Sequence, residues 1–473
     1  MAGHEQQGIA DHRQFEGGTM EKTTPYEGSD MDISVRIRRT PFVDAHEHLV
    51  EEEARITGMT DLFPCNDWSV LFQHYIDSDL LVAGMPRENR ERLTSPTAEP
   101  YEKWRAIEPW WPLVQNTGYG LAVRLAVELL YDIRVFNGTT VKLLAERFQQ
   151  RIQPGYYRGI LRDAAGIESC QVNSLERTFM TTSQPCLLMQ DISLLDLHTP
   201  EGWQSVAKPT GITVRCLAEC HQVIDWWFAA YGPYAVAVKS QAAYRRSLDF
   251  EDIAAEEVEA PYQRMLNGDA LNSQDRKRIE DHLFWYGVRK ATEYDLPVKL
   301  HTGYLAGHNG MPMARLAAGP GEITDLLARA PDTRFVLMHI GYPYHEAMIA
   351  IAKHWHNAYI DMCWSWIINP EASMAFLKGM ILATPRNKLL TFGGDYIAVE
   401  AVVGHAALAR RGIALSLSSL VRDGWLSRSA AIELIEPLMR GNAHRLFKLE
   451  ALQPRLASAP WLGTPRSGQA STS

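Results

Sequence analysis

The sequence predicts a (β/α)8 TIM barrel with a helical insertion after strand 1. Eight short apolar runs, at 42–48, 169–173, 185–190, 234–239, 296–301, 334–339, 358–362 and 388–394, are separated by segments of helical periodicity. Four of these runs end in histidine or lysine and the last is followed at once by Asp395, and a barrel gathers its C-terminal strand ends on one rim, where active sites sit. A doubly wound open sheet shares the alternation, but no glycine-rich phosphate loop follows the first strand.

In chain order, residues 1–38 are polar and rich in Gly, Gln, Asp and Glu, which predicts a flexible N-terminal tail. They contain no apolar core of the kind a secretory signal needs. The first strand ends in His46-Glu47-His48. Side chains alternate along an extended chain, so His46 and His48 share a face and Glu47 points the other way. From 50 to about 162 the chain turns helical and aromatic, with Trp68, Trp104, Trp110 and Trp111 and amphipathic stretches at 121–130 and 141–150. That is too long for a loop and reads as an insertion. Strand and helix then alternate, which makes 39–453 a single barrel domain, and the Pro/Ser/Gly-rich 454–473 is a C-terminal tail.

The 473 residues are 46% hydrophobic and 22% charged, ordinary for a globular protein with a sizeable core. A net charge of −9 opposes binding driven by phosphate neutralisation, so no nucleic-acid partner is expected. No apolar run approaches the roughly 18 residues of a membrane span. The six cysteines (Cys65, Cys170, Cys186, Cys216, Cys220 and Cys363) form no CxxC pair and read as reduced, buried thiols of a cytoplasmic protein. A homo-oligomer is compatible with this composition and is not marked by it.

The strand ends carry the chemistry: His46 and His48 on strand one, Lys239 on strand four, His301 on strand five, His339 on strand six and Asp395 on strand eight. Read alone, His46 and His48 are as compatible with an ordinary polar strand end as with a metal site. Convergence with four further strands favours metal. Neutral imidazoles suit Zn2+ and other first-row divalent ions, and the set has room for one or two. Asp395 can both ligate and accept a proton from a water whose pKa a metal lowers from about 16 to about 7. A lysine ammonium is a poor ligand. Lys239 fits beside metals only as a carbamate formed with CO2, and its competing role is an ammonium that holds a substrate carboxylate.

His-x-His on strand one followed by Lys, His, His and Asp at later strand ends resembles the amidohydrolase superfamily. Three stretches, 238–245 (VKSQAAYR), His301-Thr302-Gly303-Tyr304 and 339–344 (HIGYPY), resemble more narrowly the amidohydrolase-related group that includes the N-terminal domain of nodulin/glutamine-synthetase-fused proteins. Uronate isomerases are more distant relatives that share the helical insertion. The resemblance covers roughly residues 40–450. It implies that His46, His48, His301, His339 and Asp395 are metal-site positions, that Asp395 is the proton shuttle, and that Lys239 stands at the position of a bridging carboxylated lysine. Mononuclear relatives leave the strand-six histidine, here His339, to contact substrate.

Around this set, Tyr244 and Arg245 follow strand four and are substrate-binding candidates; a surface pairing of the arginine with Asp249 or Glu251 is the bland alternative. Tyr304, Tyr342 and Trp364 follow ligand strands and are candidates to line the pocket, although aromatics in those positions also serve as packing anchors. The expected function is hydrolysis of an amide, less readily an ester, in a small carboxylate-bearing molecule, with Asp395 and His339 catalytic. Non-oxidative decarboxylation and uronate-type isomerisation use the same barrel, and a non-catalytic metal-binding scaffold is the rival outside enzymes.

Overall fold

A computed structural model describes residues 27–463, apart from 59–61, 63, 195–196 and 198–201. Strands β1 (Phe42–Glu47), β2 (Ile167–Val172), β3 (Leu188–Ser193), β4 (Ala237–Ser240), β5 (Val298–Leu300), β6 (Phe335–Leu337), β7 (Ala358–Asp361) and β8 (Leu389–Leu390) pair in parallel, in sequence order. The helices that bear on the site are α1 (Glu27–Arg39), α2 (Gly118–Tyr131), α3 (Leu217–Tyr231), α4 (Ser273–Glu293), α5 (Met313–Arg329) and α6 (Val399–Arg422). This is the TIM barrel expected, with the insertion between β1 and β2.

The expected eighth strand, 388–394, keeps its ladder for only two residues. Beyond Leu390 the chain bends inward against β1. A Cβ on Gly394 would fall 1.8 Å from Glu47 Oε1, so a larger residue here would force the buried Glu47 carboxylate to shift. The seam still closes: Ala45 N donates to Phe392 O and Asp395 N to His46 O, both at 2.9 Å. Phe42 and Phe392 stack across it with centroids 4.6 Å apart. The third strand starts three residues later than expected, because Gln184 O accepts from both Leu187 N and Leu188 N and holds that stretch in a turn.

Two boundaries of the barrel domain move outward. The expected N-terminal tail over 1–38 gives way at Glu27 to α1, which buries Ile33 and Ile37 against the core; residues 1–26 lie outside the described residues. The chain also stays packed past 453. A helix runs over Leu449–Ala457, and Trp461 Nε1 donates to Thr182 O at 3.0 Å.

Inside the barrel, Lys299 Nζ lies 3.0 and 2.9 Å from the two carboxylate oxygens of Asp191, with both side chains fully buried. At the opposite end from the ligand rim, Leu446, Phe447, Leu452 and Leu456 pack onto Val43, Val236, Val336 and Leu390 and close the barrel floor. The insertion is tied to α6 by a buried two-pronged ion pair: Arg55 Nη1 and Nη2 lie 3.0 and 2.6 Å from the Glu400 oxygens. Among the described residues no helix is long and apolar enough to cross a membrane.

Candidate metal centre

The strand-end residues converge on the C-terminal rim as the barrel requires. His46 Nε2 lies 3.3 Å from His48 Nε2, and Asp395 Oδ1 sits 3.2 and 3.4 Å from these two nitrogens. On the other side of Asp395, His339 Nε2 is 3.0 Å from His301 Nδ1. His46, His48 and Asp395 form one group whose ligand atoms lie within 4.8 Å of one another, and His339, Cys363 and Asp395 form a second. Asp395 belongs to both.

Hydrogen bonds on the far side of three imidazoles fix which nitrogen faces inward. His48 Nδ1 donates to Asn173 O at 2.7 Å, His301 Nε2 to Tyr304 O at 2.9 Å and His339 Nδ1 to Cys363 O at 3.1 Å. A backbone carbonyl only accepts, so each of these nitrogens carries the ring's proton and the other ring nitrogen presents a lone pair. The lone pairs of His301 and His339 therefore face each other, and those of His48 and His339 lie beside Asp395. Burial, reinforced by the charge of Lys239, pushes His46, His301 and His339 well below the ordinary imidazole pKa, and burial takes His48 down to about 3. Protons are thus not the cations that satisfy this cage. Buried neutral imidazoles around a carboxylate are the donor set of a first-row divalent ion, and these residues fit one.

The backbone is strained here. Nine described residues other than glycine have positive φ, and His74, His339, Ile340, Trp364 and Asp395 are five of them. Left-handed conformations of non-glycine residues each cost on the order of 1–3 kcal/mol and persist where the surroundings over-determine them. At the ends of β6, β7 and β8 they re-aim side chains into the rim.

Three further groups complete the centre. The carboxyl of Asp395 is raised to about 7 by burial, which outweighs the opposing charge of Lys239 and the hydrogen bond from Tyr75. Tyr75 Oη lies 2.7 Å from Asp395 Oδ2 and 2.6 Å from its carbonyl oxygen. The insertion therefore reaches the candidate catalytic carboxylate. Lys239 is buried with Nζ 2.6 Å from Met338 Sδ, and desolvation lowers its pKa to about 8. Cys363 is held well above the ordinary thiol range by burial and by Asp395, so it is a protonated thiol and a weak ligand.

The substrate candidates separate. Trp364 is fully buried, its ring 5.4 Å from His339 and stacked on Tyr75 at 4.7 Å. Tyr304 stands 5.5 Å from Trp364 and 5.9 Å from Tyr342. The Tyr244 ring packs 4.6 Å from His301. These four tyrosine and tryptophan side chains form a wall beside the centre. Arg245 is exposed and lines a different, outer cleft.

Tyr75, Asn173 O and Cys363 O went unnoticed in the sequence, since two are backbone groups and the third sits far from any strand end. His74-Tyr75 comes one residue after the largely apolar run 68–72, and nothing in the spacing distinguishes it from core aromatics.

The family model described as Amidohydrolase matches residues 201–449. Protein fluG of Emericella nidulans is 24% identical over 236 residues, 48% of this chain and 27% of that protein, so the chain matches about a quarter of that relative's length. Glucuronate isomerase from Caulobacter crescentus superposes with a TM-score of 0.70 at 15% identity, covering 92% of this chain and 97% of the other. Uronate isomerase from Thermotoga maritima does so with a TM-score of 0.70 at 14% identity, covering 89% and 97%. Likeness at these identities speaks for the shared fold.

Proposed function

The chain belongs to the amidohydrolase family, and on that premise we propose that it is a metal-dependent hydrolase that cleaves an amide bond, less readily an ester, in a small molecule. One observation carries the proposal: ring nitrogens of His46, His48 and His339 face one carboxylate, Asp395, raised to about 7, with His301 packed against His339. His46, His48, His301, His339 and Asp395 would hold the ion, with Zn2+ the first choice. When bound, such an ion acidifies a water and polarises a carbonyl.

The chain's own residues supply the rest. Asp395, near pKa 7, is matched to taking a proton from the attacking water and returning it to the leaving nitrogen. Water oxygen joins the carbonyl carbon, the C–N bond breaks, and an acid and an amine leave. Tyr75 donates to Asp395 and holds its orientation. His339 stands where the substrate carbonyl meets the wall of Trp364 and Tyr304, which keeps bulk water out. Lys239, with a pKa near 8, has the neutral amine fraction that reacts with CO2, and a signal from labelled bicarbonate in carbon NMR would reveal the carbamate.

The test is turnover of an N-acyl amino acid panel by the Zn2+-loaded protein in 18O water. The expected product is an acid carrying one label. Release of CO2 without label would make the protein a decarboxylase, ketose formation from a uronate would make it an isomerase, and metal uptake without turnover of any of these would leave a binding scaffold.

A further inference from the structure

Asp44 and Glu47 of β1 take no place in the candidate ligand set. Both carboxyl groups are fully buried, and they bond to each other. Each also holds backbone across the barrel seam. Asp44 Oδ1 accepts from His46 N at 3.1 Å and from Gly394 N at 3.2 Å, and Glu47 Oε2 accepts from Tyr396 N at 2.7 Å. Gly394 and Tyr396 are the residues on either side of Asp395. Between them, Asp395 N donates to His46 O at 2.9 Å, and His48 N donates to Tyr396 O at 3.0 Å. His405 Nδ1 on α6 donates to Gly394 O at 3.2 Å, and the Tyr75 hydroxyl to Asp395 O at 2.6 Å. Every backbone N–H and C=O of 394–396 therefore has a partner.

The regular β8 ladder stops at Leu390, and Asp395 has a φ of 61°. That left-handed conformation costs a non-glycine residue on the order of 1–3 kcal/mol and persists where the surroundings over-determine it. A continued ladder would satisfy the same backbone groups without burying two carboxyls, and buried polar groups are costly unless fully bonded. Stability alone is thus a poor account of Asp44 and Glu47. What they secure is the departure from the ladder. That departure brings Asp395 Oδ1 to 3.2 Å from His46 Nε2 and 3.4 Å from His48 Nε2.

We infer that Asp44 and Glu47 are positioning residues: they grip the N–H groups on both sides of Asp395 and hold it in the left-handed conformation that aims its carboxylate at the metal centre. Their role rests on the reading of Asp395 as a metal ligand. Outer partners of this kind orient the ligands that touch an ion and so tune its binding.

Matched variants separate the acceptor from the bulk of each side chain. Glu47→Gln keeps an oxygen for Tyr396 N, and Glu47→Met keeps the shape without it. Asp44→Asn and Asp44→Leu do the same for Gly394 N. The full chain and each variant are titrated with Co2+, whose visible absorption reports ligand geometry, and Zn2+ competition gives affinities beside a thermal melt. Glu47→Gln and Asp44→Asn should keep the wild-type spectrum and affinity. Glu47→Met and Asp44→Leu should bind the ion about 10- to 100-fold more weakly, with altered absorption in the folded protein. If Glu47→Met does not fold, Glu47→Asp, which draws the carboxylate back by one methylene, carries the same expectation. A lowered melting temperature with wild-type spectrum and affinity would make the pair purely structural and overturn the inference. Equal losses in Glu47→Gln and Glu47→Met would assign the effect to charge and overturn it too. Asp395→Ala distinguishes this failure from that of the centre. If the wild type takes up no Co2+, or Asp395→Ala binds it equally well, the proposed centre falls and the clamp with it. If Asp395→Ala alone loses affinity, the centre stands and only the clamp is overturned.

Discussion

The Tyr75 hydroxyl meets Asp395 twice, 2.7 Å from Oδ2 and 2.6 Å from the carbonyl oxygen. A residue of the helical insertion thereby sets the orientation of the carboxylate that two groups of potential ligands share. Its ring is clamped between neighbours, stacked on Trp364 at 4.7 Å and on Tyr119 at 5.3 Å. Tyr75→Phe keeps that stacking and removes only the donor. A hydrogen bond to a charged group is worth about 1.5–3 kcal/mol, so kcat should fall about 10- to 100-fold with KM and melting temperature nearly unchanged. Steady-state kinetics beside a thermal melt decide it, and an unaltered kcat would remove Tyr75 from the machinery.

Metal should stabilise the fold as well as enable turnover. Without a cation, the lone pairs of His301 and His339 face each other and that of His48 faces Asp395 in a buried cage, the tautomers fixed by Asn173 O, Tyr304 O and Cys363 O. Binding to the folded state alone contributes about 4 kcal/mol at a thousandfold excess over Kd. Chelation should lower the melting temperature by several degrees, and Zn2+ should restore it. His46→Ala should show little of that rise, with less metal retained on elemental analysis. A melt insensitive to chelator in the wild type would contradict the cage.

The convergence of the candidate residues was legible because it depends on period and place. His46, His48, His301, His339 and Asp395 stand at strand ends, and parallel pairing of eight strands brings strand ends together regardless of detail. Glu47 faces away from His46 and His48, as alternation requires, and accepts from Tyr396 N at 2.7 Å. What escaped notice depends on tertiary contact. The Tyr75 donor arrives from a helical segment that shows only aromatic packing in sequence, and carbonyls such as Asn173 O carry no side-chain signature. Tyr244 and Arg245 are adjacent, yet a turn of 3-10 helix sends one to His301 and the other to the outer cleft. Likewise α1 was hidden among polar residues, because two buried isoleucines, Ile33 and Ile37, suffice to seat it.

The ion pair between Arg55 and Glu400 should be costly to break and cheap to replace. Both side chains are fully buried, and Tyr156 Oη also bonds to Glu400. Removing one partner strands the other charge in a low-dielectric site, at a cost of about 3–5 kcal/mol. Arg55→Met alone should therefore destabilise by about that amount in urea unfolding. Arg55→Met with Glu400→Leu should recover much of the loss, although the orphaned Tyr156 hydroxyl limits the recovery. Additive losses in the double variant would mean that the pair itself, rather than the stranded charge, sets the cost.

Between α3 and α4, His221 Nε2 and His282 Nε2 lie 2.9 Å apart. His282 Nδ1 donates to Ile253 O at 2.7 Å, so its Nε2 accepts the one proton that His221 offers. A second proton has no place between the rings. Burial, then the neighbouring His282, lowers His221 from 6.5 to about 4, and burial also lowers His282. The facing charges are Asp225, Asp252 and Glu256 against Arg289, and they do not reverse that direction. In the unfolded chain both imidazoles titrate near 6.5. Between pH 6.5 and 4 the unfolded state therefore binds protons that the folded state refuses, and stability is lost as pH falls through that window. His221→Gln keeps an N–H donor toward His282 and removes one of the refusing groups. Its melting temperature should decline less steeply than that of the wild type from pH 6.5 to 4, with the two curves running parallel above pH 7. Parallel curves across the acid window would show that this histidine pair does not limit acid stability.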